Sequence, residues 1–307
     1  ENCVTAVPQH QLVRVPLFSG EDASASHTVT LFKTSEPLWS TWTIAPNYVG
    51  FVGFEGDDGM TYTAPLHKST SRKHRVEFLG DSITAGYCNL CDLSDQRQTQ
   101  PRPLTAPLGA AAGDSVMEES FELSWANLVC EALGASCHTA AWSGMGMAEN
   151  CCGGDTLMSD VYQRTLATVP SYQDPHGTIP SNYWDFSMWV PDAVVINLGT
   201  NDQLSSRSGL TPLYNSTYLE LVLTAAQAYG RDTTFFLACG PMDESYCDPV
   251  DWVINKARDA GVQAVFLDQT GFECGCCGHP SSASDKAIAA ATSEVIADYM
   301  GWDITPS

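Results

Sequence analysis

From residue 76 onward the hydrophobic positions fall into short runs separated by longer mixed stretches. The runs 76–79 (VEFL), 138–141 (HTAA), 193–196 (AVVI), 234–238 (TFFLA) and 262–266 (VQAVF) have the length and bounding turns of strands. Helix candidates lie among and after them at 120–134, 216–229, 250–260 and 285–300. The second of these opens on a capping box, Thr217 with Glu220 three residues on, and closes at Gly230. Strands alternating with helices build a parallel sheet covered on both faces, so residues 76–307 read as an α/β three-layer sandwich around five parallel strands. In such sheets chemistry collects where loops leave the carboxyl ends of strands. Two aperiodic stretches, 88–118 and 151–185, are candidate rims of a site there.

Residues 1–75 have a different texture. Leu12-Val13-Arg14-Val15, His27-Thr28-Val29-Thr30-Leu31-Phe32 and Tyr48-Val49-Gly50-Phe51-Val52-Gly53-Phe54 alternate or cluster β-formers. A turn at 55–59 precedes Met60-Thr61-Tyr62-Thr63, and no helical stripe appears. This stretch reads as a small antiparallel β domain. The basic run 67–75 (HKSTSRKHR) serves as its linker to the second domain, 76–307.

Composition narrows the function. With 44% hydrophobic and 16% charged residues, the 307-residue chain is a folded globular protein. Its 36 acidic against 14 basic residues give a formal net charge of −22, which repels nucleic acid and anionic membrane surfaces and suits a neutral or cationic ligand. No apolar run reaches 18 residues, so no membrane insertion is expected, and a monomer is. Twelve cysteines, with Cys130 near Cys137 and Cys239 near Cys247, point to disulfides and an oxidising compartment. The sequon at Asn215 agrees with secretion as an N-glycosylation site, although Thr217 also has its reading as a helix cap. The opening ENCVTAVPQ has neither a charged start nor an apolar core, so any signal peptide is expected to have been removed already.

Four loops, each following a predicted strand, carry candidate chemistry. Gly80-Asp81-Ser82 places a serine at a strand-to-helix turn, its hydroxyl exposed over backbone amides that can hold an oxyanion. Ser143-Gly144-Met145-Gly146 offers a glycine N–H, and Gly199-Thr200-Asn201-Asp202 offers a side-chain amide donor. The last loop, 273–282 (ECGCCGHPSS), carries His279. Serine for attack, three oxyanion donors and a histidine base make a complete acyl-transfer site. Each residue also has a plain structural reading: Ser82 and Asn201 as caps, Gly144 as a turn glycine, Asp202 as structure. A second Gly-Asp-Ser at 113–115 lacks a preceding strand and is set aside. Trp142, Trp184 and Trp189 are candidates for a sugar-stacking wall or for core packing.

In order, residue type and flanking strands, these blocks resemble the SGNH, or GDSL-type, hydrolases over residues 76–307. The similarity is closer to carbohydrate esterase family two, whose members place a small jelly-roll domain before a flavodoxin-like hydrolase. The segments that carry it are 76–87 (VEFLGDSITAGY), 141–146 (AWSGMG), 191–202 (PDAVVINLGTND) and 27–33 (HTVTLFK). The resemblance implies Ser82 as nucleophile, His279 as general base, and Ser82 N–H, Gly144 N–H and Asn201 as the oxyanion hole. It implies removal of acetyl groups from sugars or plant polysaccharides, with acetylated oligo- or polysaccharides as partners and neither metal nor organic cofactor. Two other readings stay open: a general short-chain carboxylester hydrolase or lipase-like enzyme, and a glycan-binding protein with weakened catalysis.

The histidine loop departs from the superfamily. Most members carry an aspartate three residues before the histidine, and Cys276 stands there; Gly278 stands where relatives tend to carry an aromatic. A Ser-His dyad is therefore expected, with a backbone carbonyl of Cys276, Cys277 or Gly278 accepting from the imidazole, or with Glu273 or Asp268 reaching it instead. The metal alternative combines Cys274, Cys276, Cys277 and His279 with the C-x-x-C at 88–91, but the spacing lacks the separated pairs of structural zinc sites. Disulfides are expected, with Cys276 and Cys277 bonding in different directions.

Overall fold

A computed structural model describes residues 14, 54–55, 73–91, 118–151, 153, 156–165, 183–207 and 209–305. The chain divides into two units, and residues 72–307 belong to the larger. The proposed β domain, with its strands and linker, lies outside the described residues except at Arg14, Phe54 and Glu55 and the last three linker positions. So do the second Gly-Asp-Ser, Cys3 and Cys152. In the smaller unit, Arg14 Nε donates to both carboxylate oxygens of Glu55, at 3.1 and 2.9 Å, in an exposed ion pair.

In the larger unit the strands are β1 (Arg75–Gly80), β2 (Ser136–Ala141), β3 (Ala193–Asn197), β4 (Thr234–Cys239) and β5 (Gln263–Asp268). All pairings are parallel, in the order β2-β1-β3-β4-β5. The helices are α1 (Ser82–Ala85), α2 (Trp125–Ala132), α3 (Met158–Tyr162), α4 (Thr211–Tyr229), α5 (Cys247–Asp259) and α6 (Ser282–Met300). Central strands β3 and β4 are buried throughout, as an apolar run without alternation requires. Residues still alternate between faces. Leu79, Val194, Ile196, Phe235 and Leu237 face α3, α4 and α5, whereas Phe78, Val195 and Phe236 face α2 and α6. This is the three-layer α/β sandwich that the pattern predicted.

The main correction concerns α4, which begins at Thr211 with Pro212 in its first turn, well before the predicted capping box. Thr217 is thus an interior residue, not a cap. Tertiary packing extends the helix: Tyr214 and Tyr218 lie one turn apart, both fully buried. Tyr214 donates to the Leu198 carbonyl at 2.7 Å and Tyr218 to that of Ile196 at 3.4 Å. Residues 120–134 prove to be a 3₁₀ turn, Phe121–Leu123, followed by α2 with Ser124 as its cap.

One buried charge stands out in the sheet. Glu77 of β1 is 6% exposed, and its Oε2 accepts from the hydroxyls of Tyr162 and Tyr229, each at 2.9 Å, tying α3 and α4 to the strand. Burial outweighs these two bonds and pushes the carboxyl up to about 7. Because the folded state holds this proton more tightly than the unfolded state, the associated stability is complete below the ordinary carboxyl range and is lost as pH rises towards 7. A shift of this size is worth on the order of 3 kcal/mol. Asp285, also pushed to about 7 by burial, acts in the same direction. The unfolding midpoint is therefore expected to fall between pH 5 and pH 8 (the usual range for such scans), and Glu77→Gln to remove part of that slope. Thermal scans of both proteins check this; identical slopes would show that Glu77 does not titrate there.

Candidate active site

Ser82 opens α1 immediately after β1, and the chain order places the β1 and β3 loops together at the switch point of the sheet. Gly80 is required before it, because a Cβ there would collide with the Thr84 side chain one turn into α1. Gly86 ends that single turn in the left-handed region. Ser82 is 6% exposed, and its hydroxyl donates to His279 Nε2 at 2.7 Å.

His279 reaches Ser82 from the far edge of the sheet. Its loop follows β5, which lies three strand spacings, or about 14 Å, from β1 in the sheet. The imidazole Nδ1–H donates to the Cys277 carbonyl at 2.9 Å, which leaves Nε2 as the acceptor for the serine proton. Burial lowers the imidazole pKa below its ordinary value, and the Cys277 carbonyl partly offsets this by favouring the cation. Tyr87 packs edge-on against the ring at 4.9 Å. An aromatic neighbour is thus supplied from the serine side, where Gly278 cannot supply one. The alternative carboxylates are elsewhere: Asp268 accepts from the amide and hydroxyl of Thr270, at 2.9 and 2.6 Å, and Glu273 is exposed. Neither is bonded to the imidazole, because the loop turns at Cys277 and presents a carbonyl instead.

Two disulfides hold that turn, Cys88–Cys277 and Cys91–Cys276, so the adjacent cysteines do bond in different directions. Cys130–Cys137 and Cys239–Cys247 are bridged as their short separations suggested. Sulfurs of Cys88 and Cys277 and a Glu118 carboxylate oxygen lie within 4.8 Å of one another. Bonded to each other, those sulfurs are not thiolates and offer nothing to zinc. The same applies to Cys276 in the metal alternative, and Cys274 is an exposed free thiol.

The expected oxyanion donors come from three loops. Gly144 has φ 77°, which a side chain would resist, and among the described residues neither its N–H nor that of Ser82 has an acceptor. Asn201 differs from expectation. Its Nδ2 donates to Asp81 Oδ2 and to the Met145 carbonyl, both at 2.9 Å, so both amide protons have partners before any ligand arrives. Asp81, fully buried, also caps α1 by accepting from the Ile83 N–H at 2.9 Å. Asp81 and Asn201 thereby tie the β1, β2 and β3 loops into one unit. Asp202 supports it by accepting from the N–H groups of Met147, Ala148 and Glu149, at 2.9, 2.6 and 3.0 Å. Burial still raises the Asp202 pKa against those three bonds.

The tryptophans divide. Trp142 follows β2 and packs against the core. Trp189 stacks on His138 at 3.8 Å, and Trp184 meets the same ring edge-on at 6.2 Å. His138 lies midway along edge strand β2, so these two rings flank the sheet and do not wall the strand ends that carry Ser82. Asn215 is half-buried within α4. A separate pocket of about 190 Å³, lined by Leu223, Arg231 and Val262 among others, opens at the amino ends of β4 and β5, opposite the serine. Sequence reasoning missed Asp81, Asn89 and Tyr87 as parts of the site. Asp81 was legible as a side-chain cap, whereas Asn89 and Tyr87 carry no signal without the fold.

No helix among the described residues is long and apolar enough to cross a membrane. The family model for the GDSL-like lipase/acylhydrolases matches residues 76–292. Among curated proteins, a cellulase/esterase of Acetivibrio thermocellus is 30% identical over 94% of this chain, and an acetylxylan esterase/glucomannan deacetylase of Cellvibrio japonicus is 24% identical over 87%. The chain spans 32% of the first protein's length and 68% of the second's. Among solved structures, a family two carbohydrate esterase from Clostridium thermocellum in complex with cellohexaose is 28% identical with a TM-score of 0.60, covering 75% of this chain and 65% of that one. A family two enzyme from Corynascus, with a carbohydrate-binding domain, is 28% identical with a TM-score of 0.56, covering 79% of this chain and 69% of that one.

Proposed function

The chain belongs to the GDSL-like lipase/acylhydrolase family, and within it we propose that it is a serine esterase that removes O-acetyl groups from sugars or plant polysaccharides of the xylan or mannan type. The observation that carries the reading is the 2.7 Å contact between Ser82 Oγ and His279 Nε2, with unengaged N–H groups at Ser82 and Gly144 beside it. The activity named for the Cellvibrio japonicus relative, acetylxylan esterase/glucomannan deacetylase, favours acetylated saccharides over other esters.

Ser82 Oγ attacks the acetyl carbonyl carbon while its proton passes to His279 Nε2. The carbonyl π electrons move onto oxygen, and the resulting oxyanion accepts from the N–H groups of Ser82 and Gly144. It also competes with the neutral Met145 carbonyl for one Asn201 proton, a contest that the charged acceptor wins. Among the described residues the Cys277 carbonyl is what holds the Nδ1–H of the imidazolium, so the pair works as a dyad. Collapse breaks the bond to the sugar oxygen, which takes the proton from Nε2. Water then attacks the acetyl-serine by the same route, releasing acetate and restoring the serine.

We place this work outside the cell, where the bridges described above persist. Residues 1–75 are proposed as an accessory jelly-roll domain, Asn215 as a glycan site, and the protein as a monomer. Rates on acetylated xylan and mannan against p-nitrophenyl esters of increasing chain length test the substrate, and covalent labelling of Ser82 by an organophosphonate tests the nucleophile. An unlabelled serine in folded protein favours the glycan-binding alternative and sinks the esterase. Activity is expected to rise with pH through a histidine pKa below about 6.5, since burial favours the neutral imidazole that accepts the proton. A kcat/KM profile whose acid limb is centred above neutrality contradicts that geometry.

A further inference from the structure

The paired bridges at the histidine loop are not needed by the acyl-transfer chemistry as such. Resting on the esterase reading above, we propose that Cys88–Cys277 and Cys91–Cys276 form the positioning element for His279 in place of an orienting carboxylate. Opening them with a dithiol then silences the site while the sheet stays folded.

Both cysteines on the histidine side turn their carbonyls to His279. The Cys276 carbonyl accepts the His279 main-chain N–H at 2.9 Å, and the Cys277 carbonyl accepts the ring Nδ1–H at 2.9 Å. Cys277 holds φ 55°, and its bridge partner Cys88 holds φ 59°. A residue with a Cβ leaves the left-handed region unless its surroundings keep it there. Relaxation of Cys277 to ordinary backbone angles swings its carbonyl away from Nδ1. The covalent link itself keeps Cys277 in place.

The bridge is also local to the reacting atoms. Cys88 follows Ser82 by six residues and Cys277 precedes His279 by two, although the bridge spans 189 positions of sequence. The nucleophile segment and the base segment are thus closed into one ring, within which Oγ meets Nε2. Asn89, between the two cysteines of the C-x-x-C, extends the grip. Its carbonyl accepts from the Ser282 N–H at 3.0 Å, and its Nδ2 donates to Asp285 at 3.1 Å, so the helix after the histidine is fixed by the same loop. Among the described residues no carboxylate bonds the imidazole.

The reductive step balances without further partners. A dithiol thiolate attacks Cys277, which is exposed, and displaces Cys88 as a thiolate. The second thiol then attacks the mixed disulfide, leaving two cysteine thiols and the cyclic disulfide of the reductant. In Cys130–Cys137 and Cys239–Cys247 the more accessible sulfur, that of Cys137 or Cys247, is only half-buried, whereas Cys277 is exposed.

The test begins with oxidised wild-type protein and Ser82→Ala on a soluble acetyl ester. An inert wild type brings down the esterase reading and this proposal with it. If it is active, dithiothreitol titration is followed by alkylation mass, circular dichroism and kinetics, beside the double variant Cys88→Ser/Cys277→Ser. Opening the bridge is expected to cut kcat about 100-fold with KM within about twofold, the loss that a misplacement of about 1 Å produces. The downfield Nδ1–H proton of His279 should disappear from the NMR spectrum, and reoxidation should restore both. The pair Cys130→Ser/Cys137→Ser is expected to lower the unfolding midpoint without changing kcat. Should the Cys88 pair of substitutions prevent folding, the dithiol titration on folded protein decides alone. Unchanged kcat and an unchanged Nδ1–H signal after opening overturn the positioning role and leave the esterase reading intact.

Discussion

Ser82→Ala is expected to reduce kcat/KM on an acetyl ester by about 10⁴- to 10⁶-fold, with the unfolding midpoint nearly unchanged. The nucleophile leaves, but α1 keeps its cap, since that comes from Asp81. The lost hydroxyl frees His279 Nε2 in a half-buried site that water can enter. His279→Ala should cost a similar factor, and the double variant little more, because the two groups act as a unit and their losses do not add. Steady-state kinetics with purified proteins decide this. Full hydrolysis by folded Ser82→Ala would falsify the assignment, and a strictly additive double variant would separate the two residues into different functions.

Asp81→Ala has the next largest expected effect, about 10²- to 10³-fold in kcat with little change in KM. Asp81 touches no reacting atom and is a positioning residue. One oxygen caps α1 under Ser82, and the other accepts from Asn201, whose remaining proton holds Met145 next to Gly144. Removing it strips a cap worth about 1 kcal/mol and leaves a buried Asn201 N–H unsatisfied at about 1–3 kcal/mol. Asp81→Asn is not expected to rescue activity. Its amide can serve Ile83 with one acceptor but meets Asn201 Nδ2 with a second donor. A merely structural role predicts lower stability with kcat preserved in the folded fraction, and that result would remove Asp81 from the oxyanion unit.

The serine and histidine proposed as nucleophile and base were legible because each lies in a loop that follows a strand, where the change from an apolar run to glycine-rich polar residues is local. The partner of the imidazole was legible only as a set of alternatives. Cys277, Glu273 and Asp268 all lie within a dozen residues of His279, and nothing in their spacing ranks them. Asn201 was read as a free donor because its loop follows a strand. Its prior engagement by Asp81 and Met145 depends on loops from three strands meeting. Trp184 and Trp189 were candidates for a sugar wall, but the register of β2 puts His138, and the rings around it, along the flank of the sheet.

By itself the sequence determined the class of fold, the order of the five strands and four longer helices, and the residues proposed for acyl transfer, since hydrophobic period and turn chemistry act over a few residues at a time. The short α3 (Met158–Tyr162), in a stretch read as aperiodic, was not legible. Tertiary structure decided that α4 starts at Thr211, that each of the adjacent cysteines finds its own partner about 185 positions away, and that a carbonyl, not a carboxylate, faces the imidazole. Those outcomes follow from parallel crossovers that bring the loops after β1 and β5 to one place, a convergence that no local pattern encodes.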